Sequence, residues 1–352
     1  MSTAAPIRVK VLSREAPGVW ERQLPGTDRR WGRCRFSFDA DGRDYDWLVV
    51  YDDLPPRAGE RRSLRVEELA CPRAHTLLVT TEPASIKTYG RAYTDQFGCV
   101  LTSQEPRALP HPDRVYAQPA LRWFYGMGGS GLIAWDELAA MAPPHKTRAI
   151  SLVWSDKRQR HTRHRQRHDF MRRLRAALPE LEVHGRGGGD IRALDDKAGA
   201  LDAYRCHVAI ENHVGPHHWT EKLADAFLGY TLPFYYGCPN VTDYFPADSL
   251  VPIDITDFDR ALSTIKAVLA DDGEYERRLP AIREARRRVL EEYNFFAVVS
   301  GLIEARHDGA AAAAPGGKLY SRYALRRARP GVALQQAWEK ARARVRCLLQ
   351  RL

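Results

Sequence analysis

The apolar residues of this chain fall into short continuous runs, separated by segments in which apolar positions recur every three or four residues. Continuous runs of about four to eight apolar residues are typical of strands buried on both faces, and the wider spacing indicates helices. Stretches rich in apolar residues in the first half predict strands at Ile7–Leu12, which also contains Arg8 and Lys10, and at Trp47–Tyr51, Leu77–Thr81 and Cys99–Thr102. Strands alternating with short helical or irregular segments predict a parallel α/β sheet.

The same alternation begins again after residues 126–146, a glycine- and proline-rich stretch that predicts a linker. No apolar strand runs directly into its glycines, so a hinge or surface loop is favoured over a dinucleotide-binding turn. The second series predicts another doubly wound sheet. Its strands are expected at Ala149–Trp154, Glu182–His184, Cys206–Ile210, Leu232–Tyr236 and Leu250–Ile253, and its helices at Arg165–Leu178, Thr220–Tyr230, Asp259–Leu269 and within Tyr275–Glu304.

The end of the chain has a different character. Residues 307–331 include five consecutive alanines and a Pro-Gly-Gly turn, which predict a flexible connector. In residues 332–352, Leu334 and Trp338 begin an apolar series whose spacing alternates between four and three, with arginines at other positions. A basic amphipathic helix of this kind can lie on an anionic membrane surface. Packing on the protein, a short coiled-coil dimer and nucleic-acid binding are the alternatives.

Length and charge add two points. A chain of 352 residues is long enough for two domains, and no segment has the ~20 consecutive apolar residues of a membrane span. The net charge is +10, and it is concentrated in two places: residues 157–175 have nine basic residues and one acidic, and residues 318–352 have ten basic and one acidic. We expect a cytoplasmic protein, peripheral on the inner face of the membrane if the tail binds lipid.

Cysteine and histidine positions do not predict a metal site. The six cysteines contain no Cys-x-x-Cys pair and are expected to be free thiols. His161, His164 and His168 have helical spacing, but no carboxylate is placed to complete a ligand set. We therefore predict no required cofactor, and no site for a divalent cation even if such an ion stimulates the protein.

The stretch around residue 211 is the most informative part of the sequence. The predicted strand Cys206–Ile210 ends in Glu211 and Asn212, so two polar side chains follow the carboxyl end of a strand. Open α/β sheets bind ligands at that edge. After a loop, Thr220 is predicted to cap a helix whose first turn contains Glu221 and Lys222. Free backbone N–H groups beside an ammonium group favour a diphosphate ligand.

This order of residues, Glu-Asn, a loop, Thr-Glu-Lys-Leu, an amphipathic helix and Pro-Phe-Tyr-Tyr-Gly, resembles the donor-binding motif of the α-1,3-fucosyltransferases, glycosyltransferase family 10. The resemblance covers residues 147–268. It implies GT-B architecture, with two facing Rossmann-like domains: 1–140 binding the acceptor and 147–306 binding the nucleotide sugar. His213, His218 and Trp219 depart from the usual motif, and another donor sugar is therefore an alternative.

The resemblance also implies roles for individual residues. Lys222 would hold the departing diphosphate with Arg167, which stands three residues before Phe170 as in the family pattern; Arg163 and Arg165 are alternatives. Glu221 matches a donor-contacting glutamate, and Glu211 and Asn212 are predicted to bond ribose or sugar hydroxyls. The glycine-rich turn is predicted to line the nucleoside through Gly185, Arg186 and Gly187.

The candidate general base is Glu82, which follows the third predicted strand and faintly resembles a glutamate in the family's amino-terminal segment. The competing carboxylates are Asp46, Asp52 and Asp53, and the predicted acceptor-side residues are Tyr89, Arg91 and Tyr93.

Together these features predict an inverting transferase that moves L-fucose from GDP-fucose to a hydroxyl of a GlcNAc- or glucose-containing oligosaccharide or glycolipid. No nucleic-acid partner is expected. Two alternatives stay open: the same fold with another nucleotide sugar, and a noncatalytic protein that binds glycans or nucleic acid through its basic regions.

Overall fold

The computed structural model describes residues 5–129, 131–154, 164–185, 191–309 and 316–349. The chain divides into two compact units. Unit 1 consists of Met1–Ala120 together with Phe295–Leu352, and unit 2 is Leu121–Asn294. The structure therefore corrects the predicted domain boundaries, because the chain leaves unit 1 about twenty residues before position 140 and returns to it before position 306.

Unit 1 is built on a seven-stranded sheet in which every strand pair but β2–β3 is parallel. The spatial order is β2-β3-β1-β4-β6-β7-β8. The elements up to residue 120 are β1 (Ile7–Leu12), α1 (Pro17–Glu21), β2 (Arg30–Trp31), β3 (Cys34–Ser37), β4 (Trp47–Tyr51), β5 (Val66–Glu68), β6 (Thr76–Val79), α2 (Arg91–Thr94), β7 (Cys99–Thr102) and β8 (Arg114–Tyr116).

Unit 2 has a five-stranded, fully parallel sheet in the order β12-β11-β13-β14-β15. Strand order reverses between β11 and β13, whose carboxyl ends are the expected ligand-binding edge of such a sheet. Its elements are β9 (Met127–Gly128), β10 (Gly131–Leu132), α3 (Trp135–Ala140), β11 (Arg148–Trp154), α4 (His164–Ala177), β12 (Leu181–Gly185), β13 (Tyr204–Ile210), α5 (Glu221–Leu228), β14 (Leu232–Tyr236), β15 (Val251–Pro252), α6 (Phe258–Ala270) and α7 (Glu274–Glu291).

The predicted linker at 126–146 is wrong. It contains the β9–β10 hairpin and helix α3, and both belong to unit 2. Helix α3 packs through Leu138, which is fully buried, and Trp135 donates a hydrogen bond from Nε1 to the carbonyl of Leu290 on α7 (3.0 Å). Glycine and proline were informative about turns here, but these turns lie inside a domain.

The chain returns to unit 1 through four further elements: α8 (Phe295–Glu304), β16 (Lys318–Tyr320), α9 (Arg322–Ala328) and α10 (Pro330–Leu349). Strand β16 pairs antiparallel with β5, and Ser321 caps α9 by accepting a hydrogen bond from the backbone N–H of Ala324 (3.1 Å). The predicted connector 307–331 therefore includes a strand and a helix. Leu319 is buried in the core of unit 1 and anchors β16 there.

The single helical region predicted for Tyr275–Glu304 is two helices, α7 in unit 2 and α8 in unit 1. Phe295 and Phe296 begin α8 and are fully buried. Their rings contact that of Trp20, with centroid distances of 4.6 Å and 6.5 Å. An aromatic cluster of unit 1 thus fixes the point at which the chain changes units.

Helix α10 packs on unit 1 through a polar residue. Gln336 is only 6% exposed, and its amide donates to the carbonyl of Tyr89 (3.1 Å) and accepts from Arg326 (2.8 Å). Leu334 and Trp338, the start of the predicted apolar face, are 76% and 59% exposed. Among the helices that the structure describes, none is long and apolar enough to cross a membrane.

Candidate active site

A cavity of about 200 Å³ lies at the carboxyl ends of β11 and β13, where the strand order of unit 2 reverses. Its walls combine strand residues with charged and polar side chains from α4, from the loop after β13, and from the first turn of α5. The lining residues are Leu152, Val153, Arg167, Lys197, His207, Val208, Ala209, Ile210, Asn212, Glu221 and Lys222.

A buried carboxylate at the end of β13 forms hydrogen bonds with the start of α5. Glu211 has no exposed surface, and its Oε1 accepts hydrogen bonds from the backbone N–H and the hydroxyl of Thr220, both at 2.8 Å. Thr220 is the predicted cap of α5, and its hydroxyl accepts from the N–H of Lys222 (3.4 Å). The capping residue is therefore itself held by the strand, which fixes the direction of the first helical turn.

Lys222 lies between two carboxylates. Its Nζ is 3.2 Å from Glu211 Oε2 and 3.1 Å from Glu221 Oε1. Burial alone would lower the pKa of Lys222, but the two carboxylates outweigh it and raise that pKa. Burial likewise opposes the charge of Glu221, yet Lys222 and Lys197 hold its pKa at about 2. The ammonium group and the Glu221 carboxylate are thus charged at neutral pH and face the cavity.

Glu211 differs from Glu221 because complete burial raises its pKa despite the nearby ammonium group. Its oxygens bond to Thr220 and Lys222, and it is not among the cavity-lining residues. The predicted contact with ribose or sugar hydroxyls is therefore corrected. Glu211 lies outside the cavity and holds the Lys222 side chain in position.

Among the described residues of the basic segment, Arg167 is the arginine that lines the cavity. It lies on α4, and its guanidinium donates to Oδ1 of Asn212 (2.7 Å), which orients both predicted site residues toward each other. Burial lowers the pKa of Arg167, with Glu211 and Glu221 opposing that effect. Arg165 is exposed, and Arg163 lies outside the described residues. The geometry favours Arg167 over Arg165, and Arg163 stays an alternative.

Two cavity residues were missed from the sequence. Lys197 begins a short 3-10 turn, and its Nζ is 2.9 Å from Asp225, a buried carboxylate that also accepts the N–H groups of Phe124 and Tyr125. His207 lies on β13, where Ser151 bonds its Nδ1 (2.8 Å) and burial lowers its pKa to about 3. Neither residue belongs to a recognisable sequence pattern.

Of the described residues, three that line the cavity have cationic side chains, Arg167, Lys197 and Lys222, and one has an ionised carboxylate, Glu221. Within the described ranges, no group of three or more His, Cys, Asp or Glu side chains is placed to hold a metal ion. The cationic lining and the positive end of the α5 helix dipole suit a ligand with several negative charges.

The same segment matches a known family. Residues 143–279 match the family model described as glycosyltransferase family 10 (fucosyltransferase) C-term. These residues are a glycosyltransferase family 10 domain. An α-(1,3)-fucosyltransferase of Helicobacter pylori, FucT, is 35% identical over 86 residues, which is 23% of this chain. The match spans only 18% of that relative's length.

Solved structures show the fold class. An α-glucosyltransferase determined with UDP and a 13-mer DNA superimposes with a TM-score of 0.50 and 9% identity, covering 86% of this chain and 99% of that one. A crystal structure of an α1,3-fucosyltransferase has a TM-score of 0.45 and 18% identity, covering 84% and 92%. The predicted α/β fold of GT-B class is confirmed.

Inside the family 10 domain, the predicted nucleoside turn is only partly described. Gly185 ends β12 with a φ of +134°, and a Cβ at this position would lie 2.2 Å from the carbonyl oxygen of Trp154. Glycine is thus required for the close approach of β12 to β11. Gly185 is not among the cavity-lining residues, and Arg186 and Gly187 lie outside the described residues.

The unusual motif residues before α5 belong mainly to the core. Trp219 is 2% exposed and packs against Phe245 and Tyr293, with ring centroids 4.9 Å and 5.5 Å away. His218 is also buried, which lowers its pKa to about 4. Trp219 therefore fills the interior of the family 10 domain and is not among the residues that line the cavity.

In unit 1, Glu82 follows β6 at the carboxyl edge of the sheet and is exposed. Its carbonyl oxygen accepts a hydrogen bond from the side chain of Gln104 (2.7 Å), which holds the backbone in place. An exposed carboxylate on an anchored loop fits the predicted role of a base, and that role stays a prediction.

The three competing carboxylates are engaged in structural contacts. Asp46 precedes β4, at the opposite edge, and pairs with Arg8 at 2.7 Å. Asp52 accepts hydrogen bonds from Thr81 (3.0 Å) and Tyr89 (2.6 Å) and pairs with Lys87; despite burial, these partners lower its pKa. Asp53 is buried and accepts the N–H groups of Leu54 (2.9 Å) and Arg322 (3.0 Å).

The predicted acceptor-side residues separate into two groups. Arg91 is exposed at the start of α2. It lines a second cavity, within unit 1. Tyr89 and Tyr93 are 1% and 2% exposed and belong to the hydrophobic core of unit 1. Tyr93 is not among the residues that line the second cavity, so its predicted role is corrected, whereas Tyr89 borders that cavity and its role stays a prediction.

Proposed function

We propose that this protein is an inverting glycosyltransferase that moves L-fucose from GDP-fucose to a hydroxyl of a GlcNAc- or glucose-containing glycan. One observation carries the proposal: Arg167, Asn212, Glu221 and Lys222 line one cavity at the strand-order reversal of a family 10 domain. The name of the Helicobacter pylori relative supports fucose as the sugar and an α-1,3 linkage.

The diphosphate of the donor is the part of the substrate that this cavity suits best. A nucleoside diphosphate gains negative charge as it leaves the sugar, and preorganised cations stabilise that charge in the transition state. Lys222 is held by Glu211 and Glu221, and Arg167 is held by Asn212. Because their positions are fixed before the ligand binds, little reorganisation is needed when the bond breaks.

The proposed reaction is a single displacement. Glu82 takes the proton of the acceptor hydroxyl, the hydroxyl oxygen bonds to the anomeric carbon, and the bond from that carbon to the diphosphate breaks on the opposite face. Configuration at the anomeric carbon is therefore inverted. GDP leaves carrying the electron pair, and Arg167 and Lys222 balance its charge.

Calorimetric titration with GDP, GDP-fucose, GDP-mannose and UDP tests the donor assignment. We expect GDP and GDP-fucose to bind at least about tenfold more tightly than UDP, a difference of about 1.4 kcal/mol. Tighter binding of UDP would keep the fold and overturn the fucose donor. If no nucleotide binds and RNA binds with a steep salt dependence, the transferase proposal fails in favour of a nucleic-acid-binding protein.

Contact of residues 332–352 with an anionic membrane stays a prediction, as does a cytoplasmic location. Leu334 is the most exposed large apolar side chain in the described part of the chain, at 76%, and lies on α10, whose basic residues begin at Lys340. We expect cosedimentation with phosphatidylglycerol vesicles to fall several-fold in Leu334→Ser, since less apolar surface would enter the interface. Leu132→Ser, at a 44% exposed leucine in unit 2, is the matched control; an equal loss in both variants contradicts the prediction.

A further inference from the structure

Unit 1 contains a cavity of about 260 Å³ that no part of the proposed donor site uses. Two of its walls follow the carboxyl ends of β6 and β7: residues 84–94 and residues 104–110. Residues 335–343 of α10 form the third wall. Open α/β sheets bind ligands beyond this edge, and Glu82 lies at the same edge of unit 1.

Helix α10 is fixed over this edge by specific contacts. Gln336 bonds to the carbonyl of Tyr89, and Glu339 accepts the backbone N–H of Arg91 (3.2 Å). Gly90 lies between these two contacts with a φ of +88°, and a Cβ on it would stand 3.1 Å from the Gln336 amide nitrogen. Glycine at this position allows the close approach of the helix, so the cavity has a defined wall.

The cavity is lined by three arginines and one carboxylate, and the charge of these four residues is positive. Arg91 pairs with Asp95 at 3.4 Å, and the guanidinium of Arg342 lies over the ring of Trp338, 4.4 Å from its centroid. Glu339 is engaged by the N–H of Arg91 and by Gln335 (3.0 Å). Arg107 has no hydrogen-bond or ion-pair partner among the described residues.

These groups suit one ligand chemistry. A guanidinium group binds a carboxylate through two parallel hydrogen bonds, and such charge-assisted pairs are about twice as strong as neutral ones. The indole of Trp338 offers a flat surface of the kind on which the apolar face of a sugar ring can rest. The cavity is somewhat smaller than the ~300 to 1,000 Å³ of drug-sized pockets, so it suits about one sugar unit.

We propose that this cavity binds a carboxylate-bearing sugar unit of the acceptor glycan, with Arg107 on the carboxylate and Trp338 against the ring. The proposal rests on the proposed function, because it assigns the bound saccharide as the acceptor. It adds that the acceptor is acidic, and that α10 contributes to acceptor recognition.

The test uses two disaccharides that differ only at C6 of one ring: glucuronosyl-N-acetylglucosamine and glucosyl-N-acetylglucosamine. Titration of the full chain is expected to show about tenfold tighter binding of the acidic disaccharide, the effect of one charge-assisted pair. Equal binding of the two disaccharides, or binding of neither, would overturn the proposal.

Two variants locate the binding. Arg107→Gln is expected to weaken the acidic disaccharide about tenfold and to leave the neutral one unchanged, whereas Trp338→Ala weakens both. Arg61→Gln, an exposed arginine of unit 1 outside the cavity, is the matched control and should change neither. If Arg107→Gln and Arg61→Gln have the same effect, the preference comes from overall charge and the proposed site is wrong.

GDP titration of the same samples separates this proposal from the proposed function. GDP binding without a preference for the acidic disaccharide overturns only the acidic acceptor. Arg107-dependent binding of the acidic disaccharide without GDP binding overturns the transferase and supports the saccharide site. If Arg107→Gln reduces binding to phosphatidylglycerol vesicles and not to the disaccharide, the cavity binds a lipid headgroup and the saccharide proposal fails.

Discussion

Lys222→Met is expected to weaken GDP binding by about 100-fold, since the ammonium group would contribute about 1.5–3 kcal/mol through each charge-assisted hydrogen bond to the diphosphate. Arg167→Gln is expected to have a similar effect for the same reason. Arg165→Gln, at an exposed position on the same helix, is the matched control and should bind GDP like the wild type. Calorimetric titration with GDP measures all three.

The same substitution also affects folding, and this effect must be separated from binding. Lys222 is 3.2 Å from Glu211, which is fully buried, so removal of the lysine leaves a buried carboxylate without its cation. Removing one partner of a buried ion pair costs about 3–5 kcal/mol. Burial already raises the pKa of Glu211, so it can take up a proton, which brings the cost below that range.

The pH dependence of unfolding identifies this mechanism. A carboxyl group whose pKa is higher in the folded state binds more protons there, so stability falls as pH rises from the unfolded value toward the folded one. Without Lys222, the pKa of Glu211 should rise further, and the loss of Tm in Lys222→Met should therefore be larger at about pH 8 than at about pH 5.

A double variant completes the series. Glu211→Gln combined with Lys222→Met removes both charges, and replacing both partners together is often nearly neutral for stability. We expect the double variant to regain most of the lost Tm without regaining GDP affinity. If GDP binding returns together with Tm, Lys222 serves the fold alone and the diphosphate assignment is contradicted.

The strands that the sequence predicted correctly are the buried ones. β4, β7 and β14 have the predicted bounds, because strands covered on both faces consist mostly of continuous apolar residues. β1 also has the predicted bounds, although Arg8 and Lys10 interrupt its apolar residues. β3 and β8 were missed. β3 alternates buried with more exposed residues over Cys-Arg-Phe-Ser, and β8 is only partly buried throughout, so neither contains a continuous apolar run. Their pairing depends on neighbouring strands that no local pattern shows.

The parts of the candidate site that depend on neighbouring residues in the sequence could be predicted. Thr220 as a cap and Lys222 in the first turn of α5 follow from helix rules and are confirmed. The direction of the Glu211 side chain and the presence of Lys197 depend on tertiary packing: Glu211 turns under α5, and Asp225 holds Lys197. The type and sequence position of these residues therefore predicted the charge of the ligand. They did not fully predict which side chains line the cavity.

The packed face of helix α10 also could not be predicted from the sequence. Helical spacing correctly predicted a helix after residue 331, but it assigned the apolar face to Leu334 and Trp338. The residue that packs is Gln336. Its amide is buried, and its hydrogen bonds to Tyr89 and Arg326 take the place of hydrogen bonds to water. Patterns of hydrophobicity do not detect a helix that packs through a satisfied polar side chain.

Glu82→Gln is expected to lower kcat by about 10²- to 10⁴-fold, the usual range for loss of a general base, while GDP affinity stays unchanged. The substitution keeps the size of an exposed side chain, and the backbone at residue 82 is held by Gln104, so Tm should not change. Glu105→Gln, another exposed glutamate of unit 1, is the matched control and should retain full activity. Initial rates with GDP-fucose and a neutral disaccharide acceptor measure the effect.

An acceptor that has no proton to lose distinguishes a base from a residue that positions substrate. Azide can attack the anomeric carbon without deprotonation, so Glu82→Gln should still form fucosyl azide from GDP-fucose at a rate close to that of the wild type. Lys222→Met should lose both reactions, because departure of the diphosphate is common to them. If Glu82→Gln loses azide transfer as completely as transfer to the sugar hydroxyl, Glu82 is not the base, and its effect arises from donor binding or positioning.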